Sequence, residues 1–243
     1  KMLKETRWQA KYIADFFHFF AGCADKVTGE TLPIDKPDMF VFTKREPLGV
    51  VAAVVPWNSQ LFLVAVKLGP ALAAGNTVVM KPAEFTSLTA IKFAELCEEA
   101  GLPKGVVNIV TGEGDVGAMI VDSDVDKIAF TGSTEVGKII RRAIAGSGKK
   151  LTLELGGKSP FIVFEDADID GAIEGLVDAI WFNQGQVCCA GSRLLVQEGI
   201  SDRFIKKLKL RMSKLRVGHS LDKCIDMSAV VDQEQKDRIE SMI

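Results

Sequence analysis

Apolar positions recur along the chain with two different periods. The run from Gly49 to Val55 is continuously apolar, which is typical of a strand buried on both faces. Segment 87–100 instead places its apolar residues at helical spacing, with Ser87 as the expected N-cap and Gly101 just beyond its end. By the same criteria we predict further strands at residues 77–81, 106–110, 127–131 and 151–155, and further helices at 61–74 and from Ser133.

Strands that alternate with helices over short turns pair in parallel, and the helices cover both faces of the sheet. We therefore predict an α/β domain over residues 1–155, built on a Rossmann-like parallel sheet. Two segments of this domain lie outside the alternation. One is an N-terminal helix that is expected to end at Gly22, and the other is residues 31–46, where Pro33 and Pro37 exclude a helix.

A second unit is predicted to begin near Gly156. Its expected elements are strands at 161–164 and 194–197 and helices at 169–182 and from Ser201. We assign residues 156–243 to part of a second α/β domain.

Composition limits the classes of function. The net charge is −2, so no basic excess indicates nucleic acid or an anionic membrane as a partner. No apolar run reaches the roughly 18–20 residues that a membrane span needs, and the first residues lack a signal-peptide pattern. The 5 cysteines include an adjacent pair without C-x-x-C spacing, and there are 2 histidines, so neither a disulfide framework nor a metal site is expected. These features favour a reduced, cytoplasmic location.

Two glycine-containing turns follow predicted strands and open helices. Gly112-x-Gly114-x-x-Gly117 has the spacing of a dinucleotide-binding turn, although many such turns need glycine only for a positive φ. The turn that begins at Gly132 carries Ser133, whose hydroxyl and neighbouring N–H groups are suited to a pyrophosphate. A serine at this position equally serves as an ordinary helix cap, and both interpretations stay open.

Charged residues follow two of the predicted strands. A carboxylate at Glu84, close to Lys81, is suited to accept both hydroxyls of an adenosine ribose and to repel a 2′-phosphate, which favours NAD over NADP. Glu154 precedes Gly156 and Gly157, which permit a close backbone approach, and a carboxylate there is a candidate general base. The alternatives are a solvated ion pair and an exposed carboxylate at a strand end.

The adjacent thiols of Cys188 and Cys189 lie in a loop of small residues after the predicted helix 169–182. A nucleophilic cysteine reacts as the thiolate and needs an electropositive setting or a nearby base. No histidine is close in sequence, so a Cys–His pair is not supported. The alternative is that both thiols behave as small apolar side chains.

The order of five motifs carries more information than any one of them. They are Pro56-Trp57-Asn58, Lys81-Pro82-Ala83-Glu84, Phe130-Thr131-Gly132-Ser133-Thr134-Glu135-Val136-Gly137, Leu153-Glu154-Leu155-Gly156-Gly157-Lys158-Ser159-Pro160 and Gly185-Gln186-Val187-Cys188. In this order and spacing, from about Phe16 onward, the sequence resembles the aldehyde dehydrogenase superfamily in its NAD-dependent, non-acylating branch. The resemblance implies oxidation of an aldehyde to a carboxylic acid, with hydride transfer to NAD, through a thiohemiacetal and a thioester on cysteine.

The resemblance implies a role for each site residue. Cys188 is the nucleophile, the side-chain amide of Asn58 joins the Cys188 N–H as the oxyanion hole, and Glu154 activates the water that hydrolyses the thioester. Glu154 argues against the branch of the family that transfers the acyl group to coenzyme A. No metal is implied. The residues implied in cofactor binding are Val55, Pro56, Trp57, Lys81, Ala83, Glu84, Gly114, Phe130, Gly132, Ser133 and Leu155.

The resemblance also implies partners and extent. The substrate is a small-molecule aldehyde, and residues 31–46 form a protruding hairpin used to assemble a homodimer or homotetramer. Family members continue past Ile243 to a Glu-x-Phe-Gly-Pro motif at the nicotinamide, which nothing in this sequence matches. We therefore expect the central part of a longer enzyme. The alternative is a catalytically silent aldehyde dehydrogenase-like module retained for binding or assembly.

Overall fold

The computed structural model describes residues 1–242, which divide into two units. We name Gln9–Leu155 the sheet unit, and Lys1–Trp8 together with the described residues from Gly156 onward the cysteine unit. The division thus lies between Leu155 and Gly156. Residues Lys1–Trp8, which the sequence analysis placed in the first domain, instead group with the cysteine unit. The reason is visible at Leu3, whose backbone N–H donates to the Ser220 carbonyl at 3.1 Å.

The observed helices and strands lie close to the positions predicted from the spacing of apolar residues. The α-helices are α1 (Leu3–Cys23), α2 (Gln60–Ala73), α3 (Ser87–Glu99), α4 (Gly114–Asp122), α5 (Thr134–Ala143), α6 (Ile169–Trp181), α7 (Ser201–Met212) and α8 (Gln233–Glu240). The strands are β1 (Thr31–Leu32), β2 (Val41–Phe42), β3 (Val50–Val55), β4 (Thr77–Pro82), β5 (Val107–Ile109), β6 (Lys127–Thr131), β7 (Lys150–Glu154), β8 (Pro160–Val163) and β9 (Arg193–Val196). Short 3₁₀ turns occupy Ala24–Lys26, Glu84–Thr86, Phe182–Gly185 and Glu198–Ile200.

The sheet unit is built on a parallel sheet with strand order β5-β4-β3-β6-β7. The first strand of this sheet in the sequence, β3, lies at its centre. The next two strands, β4 and β5, lie on one side of it, and β6 and β7 lie on the other side. In the register of β3, Val54 pairs with both Lys81 and Phe130. Because all the pairings are parallel, the carboxyl ends of the strands lie at one edge. The predicted parallel sheet is confirmed.

Successive residues of β3 pack against opposite helical layers. Val55 belongs to a cluster with Leu68 of α2, and Phe93 of α3 packs against the same cluster. Ala52 belongs to a second cluster, which includes Ile120 of α4 and Ile140 of α5. Side chains alternate between the two faces of a strand, so a strand that is apolar at every position requires helices on both faces. The helices therefore cover both faces, as predicted.

Two predicted helix ends were wrong. Helix α1 runs past Gly22 to Cys23. The φ of Gly22 is not positive, so its backbone conformation does not end the helix. Ser87 is the first residue of α3 and not its N-cap. The 3₁₀ turn before α3 places Thr86 at the cap position, and the Ser87 hydroxyl donates to the Ala83 carbonyl instead.

Residues 31–46 contain a small antiparallel pairing in which Thr31 lies opposite Phe42. Large apolar side chains in this segment are exposed, among them Phe40 at 74%. The role of the segment in oligomerisation stays a prediction.

The cysteine unit is a smaller α/β arrangement. Strands β8 and β9 pair in parallel, with Phe161 opposite Leu194. Val163 of β8, Leu176 of α6 and Phe204 of α7 belong to one buried cluster, which fixes both helices on the strands. Within residues 1–242, no helix is both long and apolar enough to cross a membrane.

The packing predicts different effects for two leucines of the sheet unit. Leu68 is fully buried whereas Leu88 is 83% exposed. Leu68→Ala should lower the free energy of unfolding by about 2–5 kcal/mol because it leaves a cavity against β3. Leu88→Ala should change it by no more than about 0.5 kcal/mol. Urea unfolding followed by Trp57 emission, in a Trp8→Phe/Trp181→Phe background, measures both, and equal destabilisation would contradict this packing.

Candidate active site

The carboxyl edge of the sheet collects most of the predicted site residues. The segment Val55-Pro56-Trp57-Asn58 follows β3 and leads into α2. The Ala83 N–H donates to the Val55 carbonyl at 2.9 Å, which joins the end of β4 to the end of β3. Glu154, the last residue of β7, accepts through its backbone carbonyl from the Gly132 N–H at 3.0 Å. The predicted cofactor residues of the sheet unit therefore share one edge.

Lys81 and Glu84 differ in exposure although they are three residues apart. The Lys81 side chain is buried at 7% exposure, and its ammonium donates to the Pro82 carbonyl at 3.3 Å. The Glu84 carboxylate is 50% exposed and lies 3.9 Å from that ammonium. This is a long, half-exposed ion pair, which contributes little to stability. The arrangement leaves the Glu84 oxygens accessible to a ligand.

The helix that begins after β6 has the features of an anion site. The Ser133 hydroxyl caps α5 by accepting the Val136 N–H at 3.2 Å, which confirms the helix-cap interpretation and leaves the pyrophosphate role a prediction. Before it, the Thr131 hydroxyl is buried and has no hydrogen-bond partner within residues 1–242. The remaining N–H groups of the first turn and the helix dipole favour a negatively charged group at this end.

Two glycines near this helix start allow neighbouring side chains to pack closely against the backbone. A Cβ at Gly137 would lie 2.6 Å from a methyl of Leu155, and one at Gly112 would lie 2.3 Å from the Val116 side chain. Gly112 also has φ 154°, whereas Gly114, the first residue of α4, has open space around it. Larger residues at Gly112 and Gly137 would force these neighbouring side chains to shift.

Glu154 is exposed at the end of β7, and Lys67 of α2 interacts with it electrostatically. Burial lowers the pKa of Lys67 to about 8, while Glu154 raises it and Lys127 lowers it further. The amine of Lys67 is therefore less basic than that of an ordinary lysine, and the predicted base Glu154 partly offsets the effect of burial. The sequence analysis did not identify Lys67, because its burial becomes evident only when α2 is packed on the sheet.

The predicted nucleophile lies in the cysteine unit, after the 3₁₀ turn that ends at Gly185. Cys188 and Cys189 are both exposed and form no disulfide. The Ala190 N–H donates to the Val187 carbonyl at 3.1 Å, which closes a turn around the two thiols. The alternative of two buried apolar cysteines does not apply in this structure.

The surroundings of Cys188 disfavour its thiolate form. Desolvation of the sulfur raises the pKa of Cys188 above its ordinary value, and the neighbouring Cys189 raises it further. A nucleophilic role for this thiol would need a nearby base or positive charge. Within residues 1–242, no group of three or more His, Cys, Asp or Glu side chains could hold a metal ion.

Comparison with known proteins identifies the family. The model of the aldehyde dehydrogenase family matches residues 1–243. The chain belongs to the aldehyde dehydrogenase family. It is 47% identical over 245 residues to the (Z)-2-((N-methylformamido)methylene)-5-hydroxybutyrolactone dehydrogenase of Acinetobacter baylyi, covering 100% of this chain and 50% of that protein. It is 50% identical over 228 residues to the cytosolic aldehyde dehydrogenase 1 of Mus musculus, covering 93% and 45%.

Solved structures of aldehyde dehydrogenases share this fold. A betaine aldehyde dehydrogenase from Staphylococcus aureus in complex with NAD⁺ is 41% identical, with a TM-score of 0.96 over 100% of this chain and 48% of its own. An NADP-dependent enzyme from E. coli is also 41% identical, with a TM-score of 0.96 over 99% and 50%. The chain thus spans about half the length of the relatives that it matches.

The electrostatic coupling of Lys67 to Glu154 can be measured directly. In protein labelled with ¹³C at the lysine ε carbons, the Lys67 resonance, assigned with Lys67→Arg, should titrate with a midpoint of about 8. Glu154→Gln should lower this midpoint, because the carboxylate stabilises the ammonium. Glu98→Gln, which removes an exposed carboxylate from α3, should leave it unchanged. A midpoint near 10.5 would contradict the burial of Lys67.

Proposed function

We propose that the protein oxidises an aldehyde to a carboxylic acid and transfers the hydride to NAD. The observation that carries the proposal is the set of groups at the carboxyl edge of the sheet, in a chain of the aldehyde dehydrogenase family. An accessible Glu84 carboxylate, the capped start of α5 and the exposed Glu154 lie at this edge. Ligands of open parallel sheets bind outside the carboxyl ends of the strands.

The sheet unit fits a dinucleotide in its donors and acceptors. Ser133 and the N–H groups that begin α5 would hold the pyrophosphate, beside the buried Thr131 hydroxyl that lacks a partner within residues 1–242. Lys81 and Glu84 would bind the hydroxyls of the adenosine ribose, and Trp57 would line the site. The other residues proposed to contact the cofactor are Val55, Pro56, Ala83, Gly114, Phe130, Gly132 and Leu155.

NAD is proposed over NADP because of one carboxylate. The Glu84 oxygens can accept both hydroxyls of a ribose, whereas a 2′-phosphate would meet like charge there. The similar proteins differ in cofactor: the S. aureus structure holds NAD⁺, whereas the E. coli enzyme is NADP-dependent.

In the proposed reaction, Cys188 supplies the nucleophile. Its thiolate adds to the aldehyde carbonyl, and the developing oxyanion accepts hydrogen bonds from the Asn58 amide and the Cys188 N–H. Each such donor is typically worth about 3–4 kcal/mol in the transition state. NAD, when bound, supplies the acceptor for the hydride that leaves this adduct. Glu154 then takes a proton from water, whose oxygen attacks the resulting thioester and releases the acid and the thiolate.

A second candidate is a catalytically silent module retained for binding or assembly. It is favoured by the desolvation that raises the pKa of Cys188, because this disfavours the nucleophilic thiolate. Under either candidate, the exposed hairpin at residues 31–46 is proposed as an oligomerisation element for a homodimer or homotetramer. A cytoplasmic location is proposed by analogy with the cytosolic mouse relative.

Glu154→Gln separates the two half-reactions of the proposed enzyme. In the full-length polypeptide that contains this sequence, the variant should still produce a first-turnover burst of NADH with an aldehyde and NAD. Steady-state kcat should fall by about 10²–10⁴-fold, because no base activates the hydrolytic water. Stopped-flow absorbance at 340 nm records both phases.

Adjacent cysteines provide the matched control for this experiment. Cys188→Ser should abolish the burst, whereas Cys189→Ser should retain it. Absence of NADH formation by the unaltered full-length protein, over a panel of aliphatic and aromatic aldehydes, would favour the silent module. Equal losses in both serine variants would contradict the assignment of the nucleophile.

Glu84→Gln should relax the choice of cofactor. Loss of the repulsive charge should raise the ratio of kcat/KM for NADP to that for NAD by about tenfold, which corresponds to about 1.4 kcal/mol. Glu98→Gln, an exposed carboxylate on α3, serves as the control and should leave the ratio unchanged. A ratio that does not move in Glu84→Gln would remove Glu84 from the cofactor site.

A further inference from the structure

The turn that precedes the adjacent cysteines has an unusual backbone. Asn183 (φ 48°, ψ 39°) and Gln184 (φ 57°, ψ 30°) are both left-handed, and Gly185 follows at φ 74°. Left-handed residues other than glycine are uncommon and persist only where their surroundings hold them. The Gln184 amide is buried without a hydrogen-bond partner within residues 1–242, which adds to the cost. The conformation of this turn therefore depends on contacts made from outside it.

Glu5, in the first turns of α1, makes such a contact. Its side chain is 5% exposed, and its Oε1 accepts the Asn183 backbone N–H at 3.0 Å. Its other oxygen accepts the Met2 N–H at 3.4 Å. Hydrogen bonds to a carboxylate are stronger than those between neutral groups, and a buried carboxylate is costly without them. The residues that form this contact are 178 positions apart in the chain.

Hydrogen bonds continue from this contact toward the thiols. The Asn183 side-chain Nδ2 donates to the Gln186 carbonyl at 3.2 Å. In return the Gln186 Nε2 and backbone N–H donate to the Asn183 carbonyl at 3.1 and 3.0 Å. Val187 follows and accepts the bond that closes the turn around Cys188. Hydrogen bonds therefore connect the Asn183 backbone, through Gln186, to the turn that contains Cys188.

We propose that Glu5 is a positioning residue for Cys188. Its carboxylate fixes the left-handed turn at Asn183 and Gln184, and this turn sets the direction from which the chain presents the thiol. The inference rests on the proposed function, in which Cys188 is the nucleophile, but it concerns a residue to which that proposal gives no role.

Three substitutions in the full-length polypeptide test the contact. Glu5→Leu removes the acceptor, Glu5→Asp withdraws the carboxylate by one methylene, and Glu5→Gln keeps a carbonyl oxygen that can still accept the Asn183 N–H. Glu198→Leu, at an exposed site of the cysteine unit, is the matched control. Circular dichroism and thermal unfolding confirm that each variant is folded before its kinetics are compared.

The first measurement is aldehyde-dependent NADH formation. Glu5→Leu should lower kcat by about 10²-fold, the loss expected when a reacting group moves by about 1 Å. The KM for NAD should stay within about twofold, because no proposed cofactor residue belongs to the turn. Glu5→Asp should lie between Glu5→Leu and the unaltered protein, and Glu5→Gln should recover most of the activity. A purely structural role would lower the folded fraction without this order.

The second measurement needs no catalysis. Iodoacetamide labelling at neutral pH, quantified by peptide mass spectrometry, should accelerate several-fold at Cys188 in Glu5→Leu, because release of the loop relieves the partial desolvation that disfavours the thiolate of this exposed residue. Labelling of Cys97, a partly buried thiol of the sheet unit whose pKa is raised by burial, should not change. Faster labelling at both cysteines would indicate general unfolding and count against the proposal.

The outcomes distinguish this inference from the proposed function. Folded Glu5→Leu with unchanged kcat and unchanged Cys188 labelling would overturn it. If Glu5→Leu does not fold, Glu5→Asp decides: activity and labelling like those of the unaltered protein overturn the inference, and a loss of kcat with faster Cys188 labelling supports it. If the unaltered full-length protein forms no NADH, the proposed function fails, and the labelling rates still decide the role of Glu5.

Discussion

Burial of β3 on both faces is the constraint on which the sheet unit depends. Alternate residues of this strand face two separate apolar clusters, one that includes Leu68 of α2 and one that includes Ile140 of α5. Both faces of β3 must be covered by other parts of the protein. The helices that connect neighbouring strands pack on these faces and cover them. The parallel direction of the strands follows from these helical connections. Because the strands are parallel, their carboxyl ends, and the polar residues that follow them, lie at one edge of the sheet.

Features of the sheet unit that depend on residues close together in the sequence could be predicted from the sequence alone. The apolar run of β3 and the serine cap of α5 are examples, since period and capping chemistry act over a few positions. The Ser87 cap and the helix end at Gly22 failed for a different reason. In each case the chain continues into or out of a 3₁₀ turn, and capping rules alone do not exclude that.

Features that depend on tertiary contact could not be predicted in this way. Lys67 is an ordinary lysine of an apolar helix until burial lowers its pKa to about 8 beside Glu154. The left-handed backbone at Asn183 and Gln184 could not be predicted from residue type, because asparagine tolerates that region but glutamine does not favour it. Its supporting carboxylate, Glu5, lies at the other end of the sequence, and no local pattern links the two.

The position of β7 at the edge of the sheet has a consequence for the speed of the proposed reaction. Residues of this strand alternate between half-buried and exposed, and Glu154 is on the exposed side. Exposed side chains change rotamer within picoseconds to nanoseconds, whereas enzymes commonly turn over in milliseconds or longer. In the proposed reaction, an exposed carboxylate at this position could therefore change its orientation many times within one cycle. Reorientation of this side chain would then not limit the rate of the proposed reaction.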